Sequence, residues 1–173
     1  MNRKRLIFAF YFFTILFLKS SDSLFAQTNF SVSADAGLIA AKERYGSAII
    51  GNAVLEFKKS NIAVSMLYGE LANDSENIKA KLYNYALTYG YLVSSDDRRF
   101  KTSGNIGPSL LHVKNFEDKD KSVAGLNVGV KLSYRVFGGL HIESGVATTF
   151  NKITSNLVQT YCGFSYSFND SNR

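Results

Sequence analysis

Two histidines and a few charged side chains are the residues able to do chemistry in this chain. His141-Ile142-Glu143-Ser144 places an imidazole, a carboxylate and a hydroxyl within four positions, the types that a nucleophile–base–acid constellation uses. His112 and Ser122, separated by a segment with Glu117, Asp118 and Asp120, offer a second nucleophile–base pair. Asp118-Lys119-Asp120 and Asp74-Ser75-Glu76 could share a divalent cation. Neither has the glycine and spacing of an EF-hand, and lysines lie between or beside the carboxylates. No metal and no cofactor are expected. Cys162 is the single cysteine, so an intramolecular disulfide is excluded.

The elements that must carry these residues are strands. The 173-residue chain has one proline, no tryptophan, 10 Tyr and 14 Phe, a balance that favours strands with tight turns. Period-two alternation recurs in eight segments, 29–40, 48–57, 62–69, 80–93, 99–113, 122–136, 140–150 and 157–168. The connections at 58–61, 94–98 and 137–139 are short. Those at 41–47, 70–79, 114–121 and 151–156 are longer and more polar, which is the rhythm of an up-and-down barrel with short turns at one end and loops at the other. At Phe137-Gly138-Gly139 a three-residue loop is expected, because it pairs Val136 with Leu140 and keeps both outside.

The two faces differ in composition. Segment 122–136 carries Leu126, Val128, Val130, Leu132, Tyr134 and Val136 on one face, and Gly125, Asn127, Gly129, Lys131, Ser133 and Arg135 on the other. Tyr83, Tyr85, Leu87, Tyr89 and Tyr91 oppose Asn84, Ala86, Thr88 and Gly90 in the same way. Small polar residues suit the cramped lumen of a narrow barrel; the apolar face then meets lipid. Phe30, Phe57, Tyr91, Phe100, Tyr134, Tyr166 and Phe168 fall at one rim and Tyr68, Tyr83 and Phe150 at the other, as two aromatic girdles would. The expected fold is therefore all-β, an eight-stranded antiparallel up-and-down transmembrane β-barrel.

Alternation turns Asp35, Glu56, Lys101, Lys131, Arg135, His141 and Glu143 into the lumen. Three acids balance three bases, and buried charges must be paired. Arg135 faces His141, and Glu143 lies opposite Ser133 between Lys131 and Arg135. Such a cross-braced interior predicts no large pore. The same alternation sends Ser144 outward, away from His141 and Glu143, so these three cannot form one triad. His112 falls on the apolar face near the rim, where an interfacial imidazole is the simpler expectation. Pro108 is a candidate bulge nearby.

A basic run (Arg3-Lys4-Arg5), an apolar run from Leu6 to Leu18 and a polar stretch precede the strands, the tripartite pattern of a cleavable signal peptide. Residues 1–26 are read as that peptide, with cleavage after Ala26 or Ser23, and 27–173 as the barrel. Without residues 1–26 the 20 basic and 14 acidic residues become 16 and 13, a net charge of +3 instead of +6. The high pI is thus no argument for nucleic acid, and no partner of that kind is expected.

The last segment ends Gly163-Phe164-Ser165-Tyr166-Ser167-Phe168. Gly163, Tyr166 and Phe168 resemble the C-terminal β-signal that outer-membrane barrels present to their assembly machinery, although Asn169 to Arg173 follow the final aromatic. With the leader and eight segments, the mature chain resembles the OmpA transmembrane domain, OmpX-like proteins and related outer-membrane β-barrel domain proteins. The resemblance implies residence in the cell outer membrane of a Gram-negative-type bacterium. Its partners would be outer-membrane lipid and lipopolysaccharide, the barrel assembly machinery, and proteins at the external loops 70–79 and 114–121. No peptidoglycan-binding domain is expected after the barrel. Barrels of this size include lipid-A deacylases of the PagL type, but their His-x-Ser arrangement is missing. The expected role is structural, anchoring or interaction-mediating, and not enzymatic. The alternatives are a lipid-A- or phospholipid-modifying enzyme, a conduit for small hydrophobic molecules, and a soluble lipid-binding barrel.

Overall fold

The computed structural model describes residues 28–42, 44–73, 76–95, 99–116 and 119–168. Residues 1–26, read above as a signal peptide, lie outside these, as do Gln27 and Asn169 to Arg173. Eight strands follow in chain order: β1 (Thr28–Ala41), β2 (Arg44–Phe57), β3 (Ser60–Asn73), β4 (Glu76–Ser94), β5 (Phe100–Phe116), β6 (Lys119–Phe137), β7 (Leu140–Asn151) and β8 (Ser155–Ser167). Each pairs antiparallel with its neighbour, and β1 closes on β8 from Ser31↔Ser167 to Ala41↔Leu157. The result is a closed barrel that leaves no unpaired sheet edge along its body. The end at which β1 begins and β8 stops is the proximal end; the other is the distal end.

The strands outrun their expected bounds at the distal end. Segments 70–79 and 114–121 are largely continuations of β3–β4 and β5–β6, with tips at 74–75 and 117–118. The connections at 41–47 and 151–156 likewise shrink to 42–43 and 152–154. The crown is lopsided. β6 pairs with β7 only from Leu126↔Phe150 onward, so the β5–β6 hairpin overtops the β7–β8 hairpin.

The Gly-Gly turn also differs from expectation. Phe137 pairs with Leu140 across a two-residue turn, and the register then slips before Arg135↔His141. Val136 is the extra residue of a β-bulge. The bulge lets Phe137, Leu140 and Val136 all face outward, the conflict that a three-residue loop was expected to avoid. Gly138 takes φ +52°, which glycine enters without steric cost. Pro108 produces no register slip: Ala86↔Ser109 and Tyr89↔Ile106 lie on one continuous register, and His112 stays outward.

Candidate functional site

Along the body of the barrel, large apolar side chains point out and polar ones point in. On β4, Tyr85, Leu87, Tyr89, Tyr91 and Val93 are exposed, while Asn84 and Thr88 are buried. β6 repeats this from Leu126 to Val136, against buried Asn127 and Ser133. The outward run from Tyr83 to Val93 covers ten residue steps. That is about 33 Å of strand, or about 25 Å along the axis at a tilt of about 40°.

Toward the distal end of β4 and β5 the pattern inverts without any break in the β4–β5 register. Lys79 and Lys81 point out, and Ala80 and Leu82 are fully buried. Lys114 points out, and Leu111 and Val113 are fully buried. Leu71 and Leu157, both at 0% exposure, and Ile39 complete an apolar plug inside the distal lumen. On β4 and β5 the distal sheet is built as in water, apolar inside and charged outside, whereas the outer face of β1 and β2 stays apolar there, with Leu38 and Tyr45 exposed.

The inversion falls at one row of the sheet. Tyr68 pairs with Tyr83, Tyr83 with His112, and His112 with Ser122. The Tyr68 and Tyr83 rings lie 5.2 Å apart, and those of Tyr83 and His112 6.2 Å apart. His112 Nδ1 lies 2.7 Å from Ser122 Oγ. Polar-tipped aromatics at such a boundary meet an apolar phase below and water above. At the proximal rim Phe30 stacks on Phe168 at 5.6 Å, and Tyr166 meets Phe168 edge-on at 5.1 Å.

The lumen below the plug holds the charged residues singled out in the sequence. Lys101 Nζ donates to Glu56 Oε2 at 2.9 Å, and Lys131 Nζ lies 3.2 Å from Glu143 Oε2. Asp35 is held by other means: Ser33 Oγ and Asn52 Nδ2 donate to its Oδ2 at 3.0 and 2.9 Å. Arg135 stands opposite His141, and the His141 Nδ1 lies 3.0 Å from the Gly139 carbonyl oxygen. The register aligns Asp35, Gly163 and Glu143 across β1, β8 and β7. Gly163 is needed there sterically, because a Cβ would collide with the Asp35 carboxylate and the Ala34 carbonyl. Tyr166 and Phe168 point outward at the end of β8, where Phe168 N donates to Phe30 O at 2.9 Å.

A cavity of ≈ 60 Å³ lies mid-lumen, lined in part by Asn84, Asn105 and Gln159, whose side-chain carbonyl oxygens are buried without a hydrogen-bond partner. A smaller one of ≈ 20 Å³ lies among Glu56, Lys101, Lys131, His141 and Glu143. A water needs roughly 10–15 Å³, so these two cavities have room for a few waters and not for an organic ligand.

The remaining candidates separate. Ser144 points outward, away from buried His141 and Glu143. Asp74, Ser75, Glu117 and Asp118 lie outside the described residues, among which no three metal-binding side chains converge. Cys162 is exposed on the outer wall. The sequence reading missed the plug. Its signal was present, since Leu71, Leu82, Leu111 and Val113 alternate with Glu70, Lys81, His112 and Lys114.

No family model and no curated protein matches the sequence. Solved structures do. Neisserial surface protein A matches at 16% identity and TM-score 0.60, over 82% of this chain and 97% of that one. The N-terminal β-barrel domain of Pseudomonas aeruginosa OprF matches at 12% and 0.61, over 82% and 98%. Yersinia pestis Ail, solved with the heparin analogue sucrose octasulfate, matches at 14% and 0.55, over 82% and 97%. The fold is that of the small eight-stranded outer-membrane barrels.

Proposed function

We propose that this protein is an integral outer-membrane barrel that serves as an anchor and carries an interaction surface on its distal hairpins. The inversion at the Tyr68–Tyr83–His112–Ser122 row carries this reading. A wall that is apolar for about 25 Å matches the band an outer-membrane barrel presents to lipid. A soluble barrel with lipid inside would need the opposite arrangement. Export by residues 1–26 and insertion by the barrel assembly machinery, using Gly163, Tyr166 and Phe168, complete the proposal.

In this orientation the distal end faces outside. β4 then rises roughly 15–20 Å above the boundary row, from Tyr83 to Glu76. The β3–β4 and β5–β6 hairpins are the surface offered to partners. The plug and the small cavities favour a closed barrel over an open pore or a hydrophobic conduit.

The first test is a denaturing gel of outer-membrane fractions, with and without boiling. A heat-modifiable outer-membrane band is expected. A periplasmic protein with no shift would overturn the reading. Replacing both distal hairpins above the boundary row by short turns should leave insertion intact, and loss of insertion would count against their role as an interaction surface.

A second reading, a lipid-modifying enzyme, draws on the 2.7 Å contact between His112 and Ser122. Among the described residues no carboxylate hydrogen-bonds His112 to complete a triad. Lipid A that is the same in wild type, His112→Ala and a deletion strain would remove this reading.

A further inference from the structure

Two residues above the boundary row, at the next outward position, Lys81 and Lys114 stand directly opposite each other on β4 and β5, both exposed. Like charges so placed repel, and the sheet is weakened unless something neutralises them. The nearest candidate by register is Glu70, opposite Lys81 on β3. Its two oxygens are already engaged. Oε1 accepts from Tyr68 Oη at 3.1 Å, and Oε2 lies 3.9 Å from Lys79 Nζ. On the other side β6 offers Asp120, but the β5–β6 register slips between Val113 and Phe116. Neither Lys81 nor Lys114 has an ion-pair partner among the described residues. Directly beneath them lie Tyr83 and the His112–Ser122 pair, and below those the apolar wall of Tyr85 and Leu110.

We propose that Lys81 and Lys114 form a binding site for the phosphate of an outer-leaflet lipid headgroup, whose acyl chains lie on the wall below. This rests on the membrane reading above. In that orientation the ammonium groups stand just outside the apolar band, where headgroup phosphates lie. One phosphate between two lysines would turn the repulsive pair into an attractive triad. The partner is a membrane lipid and not a free anion, because the site opens onto an apolar wall instead of a pocket.

The test uses the full mature chain folded in non-ionic maltoside micelles, with thermal unfolding followed by gel mobility and lipid retention followed by native mass spectrometry. Probes are bisphosphorylated lipid A and, separately, inorganic phosphate. In maltoside alone, Lys81→Gln/Lys114→Gln should unfold at the same or a higher temperature than wild type, because the repulsion is gone. With lipid A the order should reverse, and the variant should retain less lipid by roughly fivefold per lysine removed. Lys58→Gln/Lys59→Gln, at the proximal turn, should behave as wild type. Equal retention by wild type and the Lys81/Lys114 variant would overturn the site. A gain from inorganic phosphate equal to that from lipid A would overturn the lipid assignment. If the double variant fails to fold, Lys114→Gln alone must show the same reversal. A wild type that gives no heat-modifiable barrel would instead refute the membrane reading.

Discussion

Below the level of Tyr83 the lumen is built from Asn127, Lys131 and Glu143; above it, from Leu82 and Val113; at the junction Asn84 pairs with Leu111 and Thr149 with Leu157. The same eight strands enclose both halves, with the same pleat and largely the same register. What changes is the phase outside. Where the wall meets lipid, apolar residues are satisfied on the outside, so the inside must hold together by hydrogen bonds and ion pairs. Where the wall rises into water, the ordinary arrangement returns and a small hydrophobic core forms in the lumen. Each half is then stabilised by a different force, and the two respond differently to substitution.

The largest effect is expected in the polar half. Glu143 is 1% exposed at its side chain and pairs with Lys131 at 16%. Glu143→Leu leaves that ammonium in the lumen without its carboxylate, at a cost of about 3–5 kcal/mol. Adding Lys131→Met removes the stranded charge and should recover most of the loss. Urea unfolding in detergent micelles measures both. A double variant no more stable than the single one would mean that the two residues do not act as a unit.

In the apolar half, Leu82→Ala removes a fully buried side chain and leaves a cavity, costing about 3 kcal/mol. Leu87→Ala on the lipid-facing wall of the same strand should cost clearly less. Detergent tails close over that gap, so only the transfer contribution is lost. Equal costs would break the comparison. Sealing separates the halves further. Leu71→Ser/Leu82→Ser/Leu111→Ser should conduct ions in planar bilayers, whereas Glu143→Leu should not. The plug, more than the charged network, is then what closes the barrel.

Much of this was readable from the sequence and part of it was not, for a single reason. The eight segments, the outward faces of β4 and β6, the pairing of Arg135 with His141 and the place of Glu143 opposite Ser133 all follow from period-two alternation, which the folded barrel obeys. The expected strand ends at 69, 80, 113 and 122 lie within three residues of the boundary row. Beyond it the charges move to the outer face, and a strand continuing in inverted phase looks like a polar loop. Asp35 escaped the pairing logic because amide and hydroxyl donors from Asn52 and Ser33, rather than a cation, satisfy its carboxylate oxygen. Val136 faces outward as expected, but it does not pair with Leu140, because a bulge shifts register without changing composition. The closeness of His112 and Ser122 followed from their positions on adjacent strands, but the 2.7 Å contact required the register.

The boundary between the halves can be moved on purpose. Thr149 is fully buried at the foot of the plug, in register with Leu157, and its Oγ1 accepts from Asn84 Nδ2 at 3.0 Å and from Asn127 Nδ2 at 2.9 Å. Thr149→Val keeps the volume and makes the foot of the plug more apolar, but strands two amide donors. The expected cost is about 1–2 kcal/mol, smaller than either effect above, because the mid-lumen cavity lies beside both amides and water there can replace part of what is lost. Unfolding in urea gives the number. A variant as stable as wild type would mean that these hydrogen bonds are interchangeable with apolar contact, and that the change from polar to apolar lumen is not pinned at this layer. A loss near that of Glu143→Leu would mean the reverse: that the Asn84–Thr149–Asn127 layer, and not the ion pair beneath it, is the principal brace of the polar half.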